Sequence, residues 1–345
     1  MRASGVARLA VAGAVAGGTA CSIWAAISDP YKSDRVDAAT GVPSGDARTD
    51  AGARGASGRP IVDSGISPYA IAAYGDSVYI VGSNGQVEVA RGASASFATF
   101  WTADGGEFFY PRTNGVSVSD AGVFWTVSTG IHYCAPDGGA CGFLPSANYP
   151  RAIAASDTVV AWIDDGGVEE CAVPLRSCNR TTLAGSRGAT SLTAGPRTIA
   201  WSDSRSTIHI DRSAFDLAPH DVAVIGFDRA SSDLYWGGRF EVGAILADGA
   251  PDRIYSLGDQ GNRPDELFSA NGVVYWSIAT LSTVFYCQTA ADGGCTVNTG
   301  TLNSGVAGAN TNDGIVATSR NVLAIIGSTN NMPAEPELAA WPLPH

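Results

Sequence analysis

An aromatic residue recurs in this chain roughly every 40 residues, a fixed period that marks a repeat architecture. Tyr79 sits in Ser77-Val78-Tyr79-Ile80, and Trp125, Trp162, Trp201, Trp236 and Trp276 follow in similar short apolar runs. A unit of this size cannot bury its apolar face alone, so it must stack on copies of itself. Upstream of each aromatic lies a second apolar run, such as Ala70-Ile71-Ala72-Ala73, Ala152-Ile153-Ala154-Ala155, Val222-Ala223-Val224-Ile225 or Leu267-Phe268-Ser269-Ala270. Short polar turns, such as Ser119-Asp120-Ala121-Gly122 or Asn271-Gly272, separate the two runs and suit the positive φ of tight hairpins. A third run follows, as in Gly130-Ile131-His132-Tyr133-Cys134, then a second turn and a fourth run. Four short strands per unit, with no helical periodicity of useful length, predict an all-β chain folded as a seven-bladed β-propeller. The last unit (Gly314 to Ala317, Val322 to Ile326, Leu338 to Trp341) is degenerate, which leaves six or eight blades open. It lacks a fourth strand, and Arg59-Pro60-Ile61-Val62-Asp63 is the expected donor, closing the ring and covering two strand edges.

The run Pro150-Arg151-Ala152-Ile153-Ala154-Ala155-Ser156-Asp157-Thr158-Val159-Val160-Ala161-Trp162 resembles the repeat unit of NHL-like and YWTD-like propellers. Over residues 60–345 the chain is similar to bacterial secreted or lipoprotein propellers that carry a cysteine pair in several blades. It departs from that pattern in the first blade, with Tyr79 in place of Trp, and in the fourth and fifth, which lack cysteines. The resemblance implies the fold and a binding scaffold, with no ligand specified, because propellers host many unrelated functions.

Met1-Arg2 and Arg8 precede an apolar stretch, Leu9 to Gly18, that falls short of the about 20 residues needed to cross a bilayer. Residues 1–20 therefore read as a lipoprotein-type secretory signal peptide. Gly18-Thr19-Ala20-Cys21 is similar to a bacterial lipobox, with Gly18 where Leu is usual, which makes Cys21 the expected lipidation site. The other reading is a plain signal peptide cut a few residues later, with Cys21 lost. Residues 21–58 are rich in Asp, Ala, Gly, Ser and Arg and read as a flexible linker, leaving 59–345 as the propeller.

Six of the seven cysteines form local pairs where a third strand turns into a fourth: Cys134/Cys141, Cys171/Cys178 and Cys287/Cys295. A disulfide across such a hairpin has plausible geometry. Three of them imply an oxidising compartment, so the expected location is the outer membrane or periplasm as a lipoprotein, or outside the cell. The pairs lie in different blades at spacings unlike those of zinc sites, so no metal is expected. A formal net charge of −12 without a basic groove argues against nucleic acid.

The chain contains no nucleophile elbow, His-Glu-x-x-His, P-loop, dinucleotide or calcium-loop pattern, so no catalytic residue and no cofactor is assigned. The tryptophans are expected between blades rather than as ligand platforms. A ligand of a propeller is expected at loops leading into the innermost strand and loops joining the second and third. Those loops carry Arg112, Tyr149, Arg151, Asp164, Asp203, Arg205, His220, Arg263 and Asp265. Arg112, Arg151 and Arg263 recur just before an innermost strand and present forked donors to an acidic or hydroxylated ligand. The competing reading pairs each arginine with a neighbouring loop aspartate. The expectation is a monomeric, non-enzymatic scaffold for a protein or glycan of the cell envelope, touching membrane only through its lipid. The alternative is a propeller hydrolase or lyase acting on a sugar or lactone.

Overall fold

The computed structural model describes residues 59–60 and residues 66–343, with gaps at 83, 93–95, 103–114, 146–148, 176–177, 212, 218–219, 230, 247–250, 258–262, 279–282, 290–294, 304–308, 311–313, 320 and 329–336. In the strands at 59–60, 251–256, 295–303 and 309–310 only the backbone is described. Gly52–His345 form one compact unit. The segments expected to be a signal peptide (1–20) and a linker (21–58), with Cys21, lie outside the described residues.

The unit is a seven-bladed β-propeller. Six blades are four-stranded antiparallel meanders in chain order. The first comprises Pro68–Tyr74, Ser77–Gly82, Val87–Arg91 and Ala98–Trp101, and the third Ala152–Ala155, Val159–Asp164, Gly167–Ala172 and Thr181–Thr182. The seventh is assembled from both ends of the unit. Ile315–Ala317, Asn321–Ser328 and Glu337–Pro342 supply three strands, and Arg59–Pro60 pairs outside them with Arg59 opposite Ala340. The seven innermost strands contact one another in sequence and close from Ile315–Ala317 onto Pro68–Tyr74. At that seam a Cβ on Gly314 would lie 2.6 Å from Cγ2 of Ile71, and its φ of +133° also excludes most side chains. The upper face of the ring carries the loops into the innermost strands and the second turns; the lower face carries the first hairpin turns.

The second strand of each middle blade carries a dyad that packs in both directions. Trp125, Trp162, Trp201, Trp236 and Trp276 turn toward the preceding blade, while Phe124, Ala161, Ala200, Tyr235 and Tyr275 turn toward the next. All five tryptophans are buried. Each is capped by its cross-strand neighbour on the third strand: His132, Glu169, His209, Gly243 and Phe285. The His209 ring stacks on Trp201 at 4.8 Å and Phe285 on Trp276 at 5.8 Å.

The first blade corrects the sequence alignment. Tyr79 packs toward the second blade, as Phe124 does toward the third, and Ile80 fills the tryptophan slot against the seventh. Strand side chains alternate between faces, so aligning Tyr79 with the tryptophans is a one-residue shift onto the wrong side. In the seventh blade the tryptophan, Trp341, is on the third strand and faces the sixth.

Cys134–Cys141 and Cys171–Cys178 are disulfide-bonded at the expected hairpins. Cys287 is bonded as well, whereas the side chain of Cys295 lies outside the described residues. The Cys134–Cys141 loop also clasps the first blade: the carbonyl of Pro136 accepts from Tyr79 Oη at 3.3 Å and from Arg91 Nη2 at 3.1 Å.

Two outcomes are expected. Deleting residues 59–63 strips the closing pairing and should lower Tm by at least ~5 °C in thermal melts; an unchanged Tm would contradict the closure. The Gly243→Ala side chain would meet Trp236 Cζ2 at 2.1 Å. Urea titration should show a loss of about 1–3 kcal/mol.

Candidate functional site

The innermost strands of all seven blades line an axial cavity of about 670 Å³. That volume is in the range of small-molecule pockets. Its wall is mostly apolar, with Ile71, Val116, Ile153, Leu192, Phe227 and Val316 among the contributors. Hydroxyl side chains satisfy strand amides from blade to blade around it. Ser117 Oγ accepts from the Ala155 amide at 2.9 Å, and Thr193 Oγ1 from the Phe227 amide at 3.2 Å.

On the upper face, Asp164, Asp203, Arg151, Arg263 and His220 engage local partners, and none of these five lines the axial cavity. Asp164, 3% exposed, accepts from the Gly166 amide at 2.7 Å and so caps its own turn. Asp203 does the same, accepting from the Arg205 amide at 2.8 Å and the Thr207 amide at 3.0 Å, and lies 3.7 Å from His209. Arg151 donates to the Asp164 carbonyl at 3.0 Å and lies 3.9 Å from Asp165. Arg263 lies 3.7 Å from Asp221, an exposed pair that contributes little to stability. The Asp265 amide holds the Ser277 carbonyl at 3.1 Å. His220 is wedged between Glu241, to which its Nδ1 is hydrogen-bonded, and the Trp236 ring at 4.9 Å. All three described histidines therefore lie against second-strand tryptophans. Arg112 lies outside the described residues.

Two upper-face aromatics are exposed. Tyr149, immediately before Pro150 and Arg151, is 59% exposed at a φ of +48°. Phe240, in the second turn of the fifth blade, is 44% exposed, and the Arg239 guanidinium lies over its ring at 5.2 Å.

The lower face holds the polar network that sequence reasoning passes over. Its turn aspartates bind the adjacent blade. Ser319 donates through both amide and hydroxyl to Asp76, Tyr74 Oη donates to Asp120, and the Asp120 amide reaches Asp157 at 3.4 Å. The Asp157 amide meets the Pro196 carbonyl at 3.3 Å. Asp228, 2% exposed, accepts from Ser269 Oγ at 3.2 Å and the Gly272 amide at 3.3 Å. Within this ring lies Arg229. Its Nη2 donates to the carbonyls of Val118 and Ala155, both at 2.8 Å, and its guanidinium lies 5.3 Å from the Tyr74 ring centre. Burial pulls the Arg229 guanidinium below its ordinary value, while Asp157, Tyr74 and Asp120 act in the opposite direction. The available sequence signal is an aspartate recurring in the first hairpin turn (Asp76, Asp120, Asp157, Asp228).

No protein-family model matches the sequence, and no curated protein matches it. Solved propellers do match by shape. The Myceliophteria thermophila Cps50 (Swd1) propeller domain aligns with a TM-score of 0.64 at 11% identity, covering 83% of this chain and 100% of that one. YCF48 bound to D1 peptide gives 0.59 at 12% identity, with 83% and 94% covered. Streptogramin B lyase gives 0.58 at 12% identity, with 82% and 95% covered. At these identities the likeness shows the fold, and the chain is a β-propeller.

Burial, then the hydrogen bond to Asp120, pushes the Tyr74 phenol from 10.0 up to about 12. The folded state thus retains a proton that the unfolded chain releases near pH 10, so this contribution to stability is complete below pH 10 and is lost as pH rises toward 12. Difference absorbance at 295 nm between wild type and Tyr74→Phe should show one phenol titrating about two pH units late.

Proposed function

We propose that this chain is an extracytoplasmic propeller, tethered through lipidated Cys21 and the 21–58 linker, that serves as a binding scaffold for a protein or glycan of the cell envelope. The observation that carries this reading is the exposure of Tyr149 and Phe240 on the upper face, beside Arg151 and Arg239. Aromatic and arginine side chains are the types enriched at interface centres, where they supply large contact area and forked hydrogen bonds. Tyr149 is held in a left-handed conformation that a bulky residue rarely adopts, a cost that a recognition loop would justify. The local disulfides support an oxidising compartment. Asp164 and Asp203 cap their own turns, which favours binding over carboxylate catalysis on a sugar or lactone.

The test is quantitative capture of envelope partners by the full chain in its native membrane. A Tyr149→Ser/Phe240→Ser variant should lose at least ~10-fold in affinity, about 1.4 kcal/mol. Its Tm should stay unchanged, and lower-face Arg197→Ser should bind as wild type. Equal capture by the double variant would overturn the assignment to this face.

A further inference from the structure

In a ring of seven, no two blades are more than three positions apart. Arg229 belongs to the fifth blade, and its two carbonyl acceptors, Val118 and Ala155, belong to the second and third. Its ring contact, Tyr74, belongs to the first. The fourth blade, which lies between, is skipped. Such contacts require the side chain to pass over the axis.

Local structure supplies the reach. The first hairpin of the fifth blade runs through residues 228–233, whereas those of the first, second and sixth blades have two residues between the strands. The Asp228 amide bonds the Asp233 carbonyl at 2.9 Å and the Ser232 amide bonds the Asp228 carbonyl at 2.8 Å, which makes the longer loop a folded structure. Asp228 itself is tied to the sixth blade through Ser269 and Gly272, so the base of the arginine is anchored on the side away from its targets.

The acceptors are specific to this geometry. Innermost strands bond the second strand along one edge only, so carbonyls of the other edge face the channel. Ala155 uses its amide to reach Ser117 of the second blade, at 2.9 Å, and its carbonyl to hold Arg229. Asp120 and Asp157, at the ends of the same two strands, place negative charge near the guanidinium, and its bonds to the two carbonyls, donated by a charged group, are stronger than neutral ones.

We infer that Arg229 is a crossbar that spans the lower mouth of the axial channel, tying the fifth blade to the first three and covering the aperture beneath them. The lower face is thereby a braced base. This is independent of whether the upper face binds a partner.

Hydrogen–deuterium exchange on the full chain tests the inference. In Arg229→Met, which keeps an apolar stem and loses every donor, exchange should rise at least ~10-fold at the turns 119–121 and 156–158. The upper-face turns 164–167 and 203–206, in the third and fourth blades, should be unchanged. Arg229→Lys, with one compact ammonium in place of the planar fork, should give an intermediate increase at the same two turns. No change at those turns, or an equal rise on both faces, would overturn the crossbar. If Arg229→Met does not fold, Arg229→Lys decides by the same comparison. Failure of both to fold would also overturn it, by making Arg229 a general requirement for folding.

Discussion

Everything in this ring depends on one contact, a tryptophan on the second strand of a blade pressed against the blade before it. A flat strand pair offers little to hold a neighbour, but an indole buries a large apolar area in a single side chain. The third strand completes the seat in four of these blades by laying a ring or the bare backbone of Gly243 against the indole. The paired Phe124, Tyr235 and Tyr275 repeat the arrangement toward the following blade, so each sheet is gripped on both faces. Truncating such a buried aromatic typically costs about 3–5 kcal/mol. Ile80 occupies the slot in the first blade, so the lighter side chain falls at the closure onto the seventh blade, while Trp341 packs from the third strand of the seventh against the sixth.

Much of this was legible because it repeats. The blade period, the hairpin turns, the local disulfides and the closing strand are all properties of short segments compared with one another. Tyr79 shows the limit of that comparison: its aromatic character matched the tryptophans while its position matched Phe124, and alternation along a strand turns a one-residue shift into the opposite face. The pairing of upper-face arginines with loop aspartates was available as a competing reading. Geometry gives that arrangement for Arg151 and for Arg263.

Arg229 was illegible for a different reason. It lies in the longest of the inner hairpins, the fourth blade also carries an arginine, Arg197, in its first hairpin turn, and the partners of Arg229 are 74 and 111 residues away in sequence. Nothing about a lone arginine in a turn indicates that it reaches across an axis rather than into solvent. Of the histidines, His220 is the one singled out in sequence as a ligand-binding candidate, and its ring lies against Trp236 just as those of His132 and His209 lie against Trp125 and Trp201.

Propellers vary in blade number among relatives, and neighbour-to-neighbour packing tolerates that variation because each blade meets only the next. A side chain that joins the fifth blade to the second does not. Duplicating or losing a blade would present Arg229 with different carbonyls, or none, while leaving every tryptophan seat intact. The contacts of this one residue thus depend on the number of blades in the ring, whereas each tryptophan seat depends only on the blade beside it.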